Sequence, residues 1–314
     1  MPKYGITAAL AMVCSACASV PAASQSADVT IDGSRVYPES ITSDAAGNLY
    51  DGSNGGTIYR TKAGAQTAEP WIVPNPENGL RSLFGVFADD KRGVLWACDN
   101  PNIFKRETGT TTLRAFSLET GKLVAAYDFP TDGPAACNDV AIAKDGTLFA
   151  TETLAGRIFV LHPHAKALAL FAGSPDLVGI DGIAIAGDGA IYINNVRKQL
   201  FQRVERKADG AFDKLTTLTT SLPLNGPDGL RALGGNRFIQ GEGPGGRVAL
   251  VDVDGNAAAI TPIATGLDGP VGVTVSHGVA YVIEGKGEYM FDPKLKDKDP
   301  GPFTIRAFKL PVKR

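Results

Sequence analysis

Histidine is scarce in this 314-residue chain, which has only His162, His164 and His277. The "HPH" run at 162–164 has no third ligand near it in sequence, so an imidazole-based metal centre is not supported. Basic charge is not in excess either. Thirty-one Lys and Arg stand against 33 Asp and Glu, for a net charge of −2, and no basic stripe interrupts the chain. The electrostatic footprint of a nucleic-acid binder is therefore missing. Beyond the N-terminus no stretch reaches the roughly 20 apolar residues that span a bilayer. From residue 30 onward no sustained period of three to four apolar residues occurs, which counts against long amphipathic helices and against a doubly wound α/β fold. Chemical signatures are absent as well. There is no G-x-S-x-G elbow, and "GEGPGG" (Gly241–Gly246) lacks the Lys and helix of a phosphate loop. "KLKDKDPGP" (Lys294–Pro302) reads as a solvated charged loop.

The N-terminus is a different matter. MPKYGITAALAMVCSACASVPA places one Lys before an apolar run, Ile6 to Ala18, and small residues after it. This is the pattern of a secretory signal peptide over 1–22, with cleavage between 22 and 27. It predicts a periplasmic or secreted protein whose mature domain is 28–314; lipidation at Cys17 is the alternative. Of the four cysteines, Cys98 and Cys137 then remain, a pairable number in an oxidising compartment.

Glycine (37) and proline (20) are spread along the chain, as a fold with many tight turns requires. Six segments resemble one another: PESITSDAAGNLYDGS from Pro38, SLFGVFADDKRGVLWACD from Ser82, CNDVAIAKDGTLFATE from Cys137, GIDGIAIAGDGAIYINN from Gly179, GPDGLRALGGNRFIQGE from Gly226, and GPVGVTVSHGVAYVIEG from Gly269. Each is a strand, a turn on Asp-Gly or a similar pair, and a second strand. Further strand-like runs follow most of them, such as GRIFVLH from Gly156. A period of roughly 40–55 residues with four strands per unit is the signature of a β-propeller. The expected fold is all-β, a six-bladed β-propeller. "FTIRAFKL" (Phe303–Leu310) matches "TTLRAFSL" (Thr111–Leu118), the third strand of its unit. The last blade then lacks a fourth strand, which "DVTIDG" (Asp28–Gly33) is placed to supply, closing the ring.

Two residues before the first apolar strand position, the six units carry Glu39, Phe84, Asn138, Asp181, Asp228 and Val271. In a propeller the first strands line the channel, so these positions converge. Three carboxylates about 4 Å apart repel by roughly 4 kcal/mol per pair at an effective dielectric near 20. A cation or protons must relieve that. An oxygen-only set suits Ca²⁺ or Mg²⁺. Turn capping is the plainer reading of any one of them. At the ends of the second strands stand Ser53, Asp99, Glu152, Asn195, Glu242 and Glu284, which with Asp139 form a candidate outer rim; strand-end polarity is the alternative. Phe84 and Trp96 are candidates for an apolar wall, or for core.

"PESI", "CNDVAIAKDGTLFATE", "IDGIAIAGDGAIYI" and "PDGL" together resemble the gluconolactonase/regucalcin-like six-bladed propellers, and more distantly the paraoxonases and diisopropylfluorophosphatase, over about residues 34–310. The resemblance implies a central Ca²⁺, with Mg²⁺, Mn²⁺ or Zn²⁺ as other candidates, held by Glu39, Asn138 and Asp228. Asp181 falls where the family has Asn, which adds a negative charge. Ala136 stands where its sugar-lactone hydrolases carry Arg, and Leu83-Phe84-Gly85 offers no counterpart of the paraoxonase His pair. The implied activity is opening of a lactone or ester, with Asp228 as base or nucleophile and Asn138 orienting the carbonyl. The partner is a small molecule, and a monomer is favoured. A non-catalytic ligand- or partner-binding propeller with a structural metal is the alternative. A propeller lyase would need a His base, which this chain supplies poorly. In the propeller arrangement Cys98 ends a second strand beside the first strand that begins at Cys137. A Cys98–Cys137 disulfide is expected there, two buried thiols being the alternative.

Overall fold

The computed structural model describes residues 27–311 together with Met1. The leader expected over 1–22, its cleavage region and Cys17 lie outside the described residues. Among those described the fold is all-β, with a single four-residue α-helix, Glu288–Phe291. Among the described residues no helix is long and apolar enough to cross a membrane.

The strands pair in chain order as antiparallel meanders. The third is typical, running Cys137–Ile142, Leu148–Glu152, Arg157–Leu161 and Ala169–Gly173. Its hairpin turn is made by the Asp-Gly pair read from sequence: Gly146 takes φ +92°, while the Asp145 carboxylate accepts the Thr147 N–H at 2.9 Å. Such a turn needs a residue that tolerates positive φ, which glycine does without strain. In the third meander burial falls from the first strand to the outermost, Ala169–Gly173. Cys137–Ile142 is buried at five of six positions, whereas an outermost strand such as Leu123–Asp128 alternates half-buried and exposed. A strand packed on both faces reads as continuously apolar, and one facing water reads as alternating.

The first strands of the meanders are Pro38–Ser43, Ser82–Asp89, Cys137–Ile142, Ile180–Ile185, Pro227–Gly234 and Pro270–Ser276. Each adjoins the next, and the last adjoins the first. The fold is of propeller type. Glycine makes this close approach feasible. A Cβ at Gly85 would stand 2.2 Å from the Asn138 carbonyl oxygen, and one at Gly182 would stand 2.5 Å from that of Asp228. Gly229 and Gly272 occupy the same register. The first and last of the described strands share one eight-stranded sheet. In it Val29–Ile31 runs antiparallel to Phe303–Lys309, pairing Val29 with Ile305, and touches Thr67–Ile72 in parallel.

The disulfide expected between Cys98 and Cys137 is present, with Cα atoms 5.2 Å apart. It joins the second meander to the third. Asn100 reinforces the joint, its amide donating to the Cys137 carbonyl and accepting the Cys137 N–H, both at 2.9 Å.

Candidate functional site

Glu39, Asn138, Asp181 and Asp228 each sit in the first strand of a meander, at one register, and the cycle of first strands brings them to one region. The Asn138 amide Nδ2 donates to an Asp181 carboxylate oxygen at 3.1 Å. Asp181 and Asp228 are close enough for a carboxyl–carboxyl hydrogen bond. Asn138, Asp139 and Asp181 are buried, and Glu39 and Asp228 are partly so.

Electrostatics report the crowding. Burial pushes the Glu39 carboxyl well above its usual range, and the charges of Asp181 and Asp139 push it further. Asp181 is raised to about 7, first by burial and then by Asp139. Asp228 is raised well above its usual value by burial, then by Asp181 and Glu39. Acids buried together hold protons because water no longer stabilises their charge.

The backbones that carry these groups are pinned by two residues that sequence reasoning passed over. The Thr151 hydroxyl accepts from Asp139 N–H at 2.9 Å and donates to the Asp181 carbonyl at 2.7 Å. Asn194 repeats the device one meander on. Its Oδ1 accepts from Gly182 N–H at 2.8 Å and its Nδ2 donates to the Asp228 carbonyl. Both stand at the same register of the repeat, the signal that would have exposed them.

A third residue also went unread. Arg231, from the fifth meander, reaches across to the first three. Its guanidinium pairs with Asp139 at 2.7 Å, donates to the Val86 carbonyl at 3.2 Å and to Ser40 Oγ at 3.5 Å, and lies 5.8 Å from the centre of the Phe87 ring. Where other meanders place Thr42, Phe87, Ala141, Ala184 and Thr274, a lone Arg is the anomaly. Asp139, among the expected outer residues, thus joins the acidic group with its charge already paired.

The remaining outer candidates turn away from it. Asp99 binds Arg81 and Arg114. Glu152 binds Arg157 and accepts the Ala136 and Leu154 N–H groups, and Glu242 binds Arg247 and the Asn225 N–H. Glu284 accepts from Asp268 N–H and faces Arg306 at 3.5 Å. Asn195 bonds Val178 and Lys198, and Ser53 caps a turn at Thr57. Their oxygens are spent on loop backbone and arginine, so the expected rim reduces to Asp139. The aromatic expectation divides similarly. Phe84 stacks on Phe104 at 5.8 Å. Trp96 instead packs near Tyr127 and, with His162 and His164, lines a separate cavity.

Among the described residues no three His, Cys, Asp or Glu side chains stand as a ready-made metal cage. The donor chemistry nevertheless fits a hard divalent cation: all donors are oxygen, the carboxylates are desolvated and proton-laden, and the Asn138 amide nitrogen is committed to Asp181, which leaves Asn138 Oδ1 to coordinate.

Solved structures place this architecture. A gluconolactonase of Xanthomonas campestris superposes with a TM-score of 0.62 at 14% identity, covering 87% of this chain and 86% of its own. The fold is theirs. Regucalcin of Agrobacterium tumefaciens, a calcium-binding protein, gives 0.61 at 17% identity over 91% and 97%. Virginiamycin B lyase of Staphylococcus aureus gives 0.60 at 16% over 89% and 82%. The resemblance read from the sequence is thus shared at the level of fold with gluconolactonase and regucalcin structures. A family model of strictosidine synthase-like N-terminal regions matches residues 25–61. No curated protein matches the chain.

Proposed function

We propose that the chain is an exported, six-bladed propeller closed by Val29–Ile31, and that its axial acids bind Ca²⁺ to hydrolyse a lactone or ester. The observation that carries this reading is the convergence of Glu39, Asn138, Asp181 and Asp228 from four meanders onto one desolvated, proton-holding group. Those four residues would hold the ion, which when bound supplies electrophilic polarisation of the substrate carbonyl.

The chain's own residues account for the proton transfers. Asp228 borders a cavity of about 750 Å³, so its carboxylate can meet a water there. It takes a proton from that water as the water oxygen bonds to the carbonyl carbon. The ring or ester C–O bond then breaks, and Asp228 returns the proton to the departing alkoxide. Asn138 and Asp181, tied to one another, and Thr151, which holds the Asp139 N–H and the Asp181 carbonyl, keep the acceptor geometry fixed while this happens. Arg231 holds Asp139 paired, so that Asp139 is not a second base. A lyase would need a histidine base. His162 and His164 line a cavity with Trp96 and Tyr127, and His277 bonds Ser276 at the end of the last inner strand.

The test is a screen of aldonolactones, aliphatic lactones and aryl esters with and without Ca²⁺, on the mature protein and on Asp228→Asn. Metal-dependent turnover that falls about 10²- to 10⁴-fold in the variant is expected. Ca²⁺ binding without turnover of any substrate would favour a binding propeller with a structural ion.

A further inference from the structure

The axial ring has two positions without a polar group, Phe84 in the second meander and Val271 in the sixth, and the structure builds on both. Val271 faces the cavity of about 750 Å³ beside Asp228, whose walls include Pro244, Leu267 and Phe291. Phe84 stacks on Phe104, and Phe104 meets Phe291 with ring centres 4.7 Å apart. An aromatic ladder therefore runs from the axial ring to the cavity wall. Phe104 is 40% and Phe291 53% exposed, leaving apolar surface uncovered beside a polar centre.

Phe291 arrives there by a device peculiar to the last meander. Between its second and third strands runs 285–302, where the third meander spends only 153–156. This long strap carries the helix Glu288–Phe291, and it is fastened. Arg35 donates to the Lys296 and Lys298 carbonyls at 2.9 and 3.0 Å. Lys286 donates to those of Pro300 and Pro302 at 2.8 and 2.9 Å. Tyr289 and Met290 pack on the core between the first and last meanders. The ring of Phe291 is thus presented by a braced segment.

Charge sorts the possible occupants. Among the described residues the ionisable side chains of this cavity are all acids, Asp228, Asp268, Glu288 and Asp292. An anionic substrate, such as a lactone that keeps a second, free carboxylate, meets only repulsion there, and Ala136 supplies no arginine in compensation.

We infer that the cavity takes an uncharged apolar substituent, an alkyl chain or aryl ring, of the ester or lactone whose carbonyl reaches Asp228. The inference rests on the hydrolytic reading of the axial group, and its test separates the two. First, binding of the neutral fluorophore N-phenyl-1-naphthylamine is titrated, with and without Ca²⁺, and γ-decalactone is used as competitor. Binding that γ-decalactone displaces, and that weakens about tenfold or more in Phe291→Ala, is expected. Phe291 is mostly exposed, so that variant should fold. Second, γ-lactones of increasing chain length are compared with glucono-δ-lactone. Catalytic efficiency should rise about threefold to fourfold per methylene, and the slope should flatten in Phe291→Ala. Absence of fluorophore binding, binding indifferent to Phe291→Ala, or preference for the sugar lactone would each overturn the apolar assignment. Probe binding that obeys the expectation in a protein that hydrolyses nothing would sustain the apolar site while removing the hydrolytic one.

Discussion

Filling the axial group with Ca²⁺ should drive protons out of it, and the number can be worked from the side chains. Burial and the neighbouring acids push Glu39 and Asp228 well above their usual range, while Asp181, at about 7, is half protonated at pH 7 in the ion-free protein. An ion that uses the Asp181 carboxylate therefore releases about half a proton from it at pH 7, and the raised Glu39 and Asp228 add to that count. Because ion and protons compete, affinity should rise with pH. Between pH 7 and pH 6 the proton on Asp181 alone should lower it about fivefold, roughly 1 kcal/mol. Isothermal titration in buffers of different ionisation enthalpy gives the proton count directly as the slope of apparent heat against buffer enthalpy. Asp181→Asn should lower that count at pH 7 by about half a proton and reduce the repulsion on Asp228. A slope of zero, or binding that strengthens on acidification, would refute the placement of these carboxylates around one ion.

Three further outcomes follow from other parts of the fold. Asp51 is fully buried, pairs in its strands with Ile41 and Tyr59, and has no partner among the described residues for either carboxylate oxygen; burial raises it to about 8. Its folded value lies above its unfolded one, so the stability it allows is complete below about pH 4 and is lost as pH rises toward 8, by up to about 6 kcal/mol. Urea melts of Asp51→Asn should lack that slope, and curves parallel to wild type would sink the argument. Arg231→Met leaves Asp139 buried without its partner and should cost about 3–5 kcal/mol, with Asp139→Asn in the same chain restoring much of it; additive losses would show that the pair is not coupled. Reducing Cys98–Cys137, which spans a sequence separation of 39, should lower stability by about 4 kcal/mol on the loop-closure account, measurable as a shifted denaturation midpoint.

The contrast between what was readable and what was not follows the range of the forces involved. Hairpin turns are local, so Asp145-Gly146 and its counterparts announced the meanders. A shared register then sufficed to group Glu39, Asn138, Asp181 and Asp228, because equal positions in neighbouring first strands lie at equal depth. Cys98 and Cys137 were legible for the same reason. Register fixes where a side chain starts and not which way it turns. Glu152 and Glu242 start at the expected end and then turn to Arg157 and Arg247, the arginines five residues on that were the overlooked cue. Arg231 stood out in the repeat only as the lone Arg at its register, and its partners Ser40, Val86 and Asp139, from three other meanders, were not legible from any local pattern. The charged run Lys294–Pro302 reads correctly as exposed in its side chains. That its carbonyls anchor Arg35 and Lys286 depends on contacts no composition reveals.

The pairing of Val29 with Ile305 also sets an order of events. A chain made from its N-terminus produces Val29–Ile31 first, yet the neighbour that this strand pairs with antiparallel is completed only when Phe303–Lys309 appears. Until then the earliest strand must wait unpaired on that side while the intervening meanders form. A chain truncated before residue 303 would hold its meanders and leave open edges at both ends. Synthesis as far as Phe303–Lys309 is thus a precondition for pairing Val29–Ile31 on both sides, and any partner that binds exposed strand edges would see this edge only on chains that have not reached it.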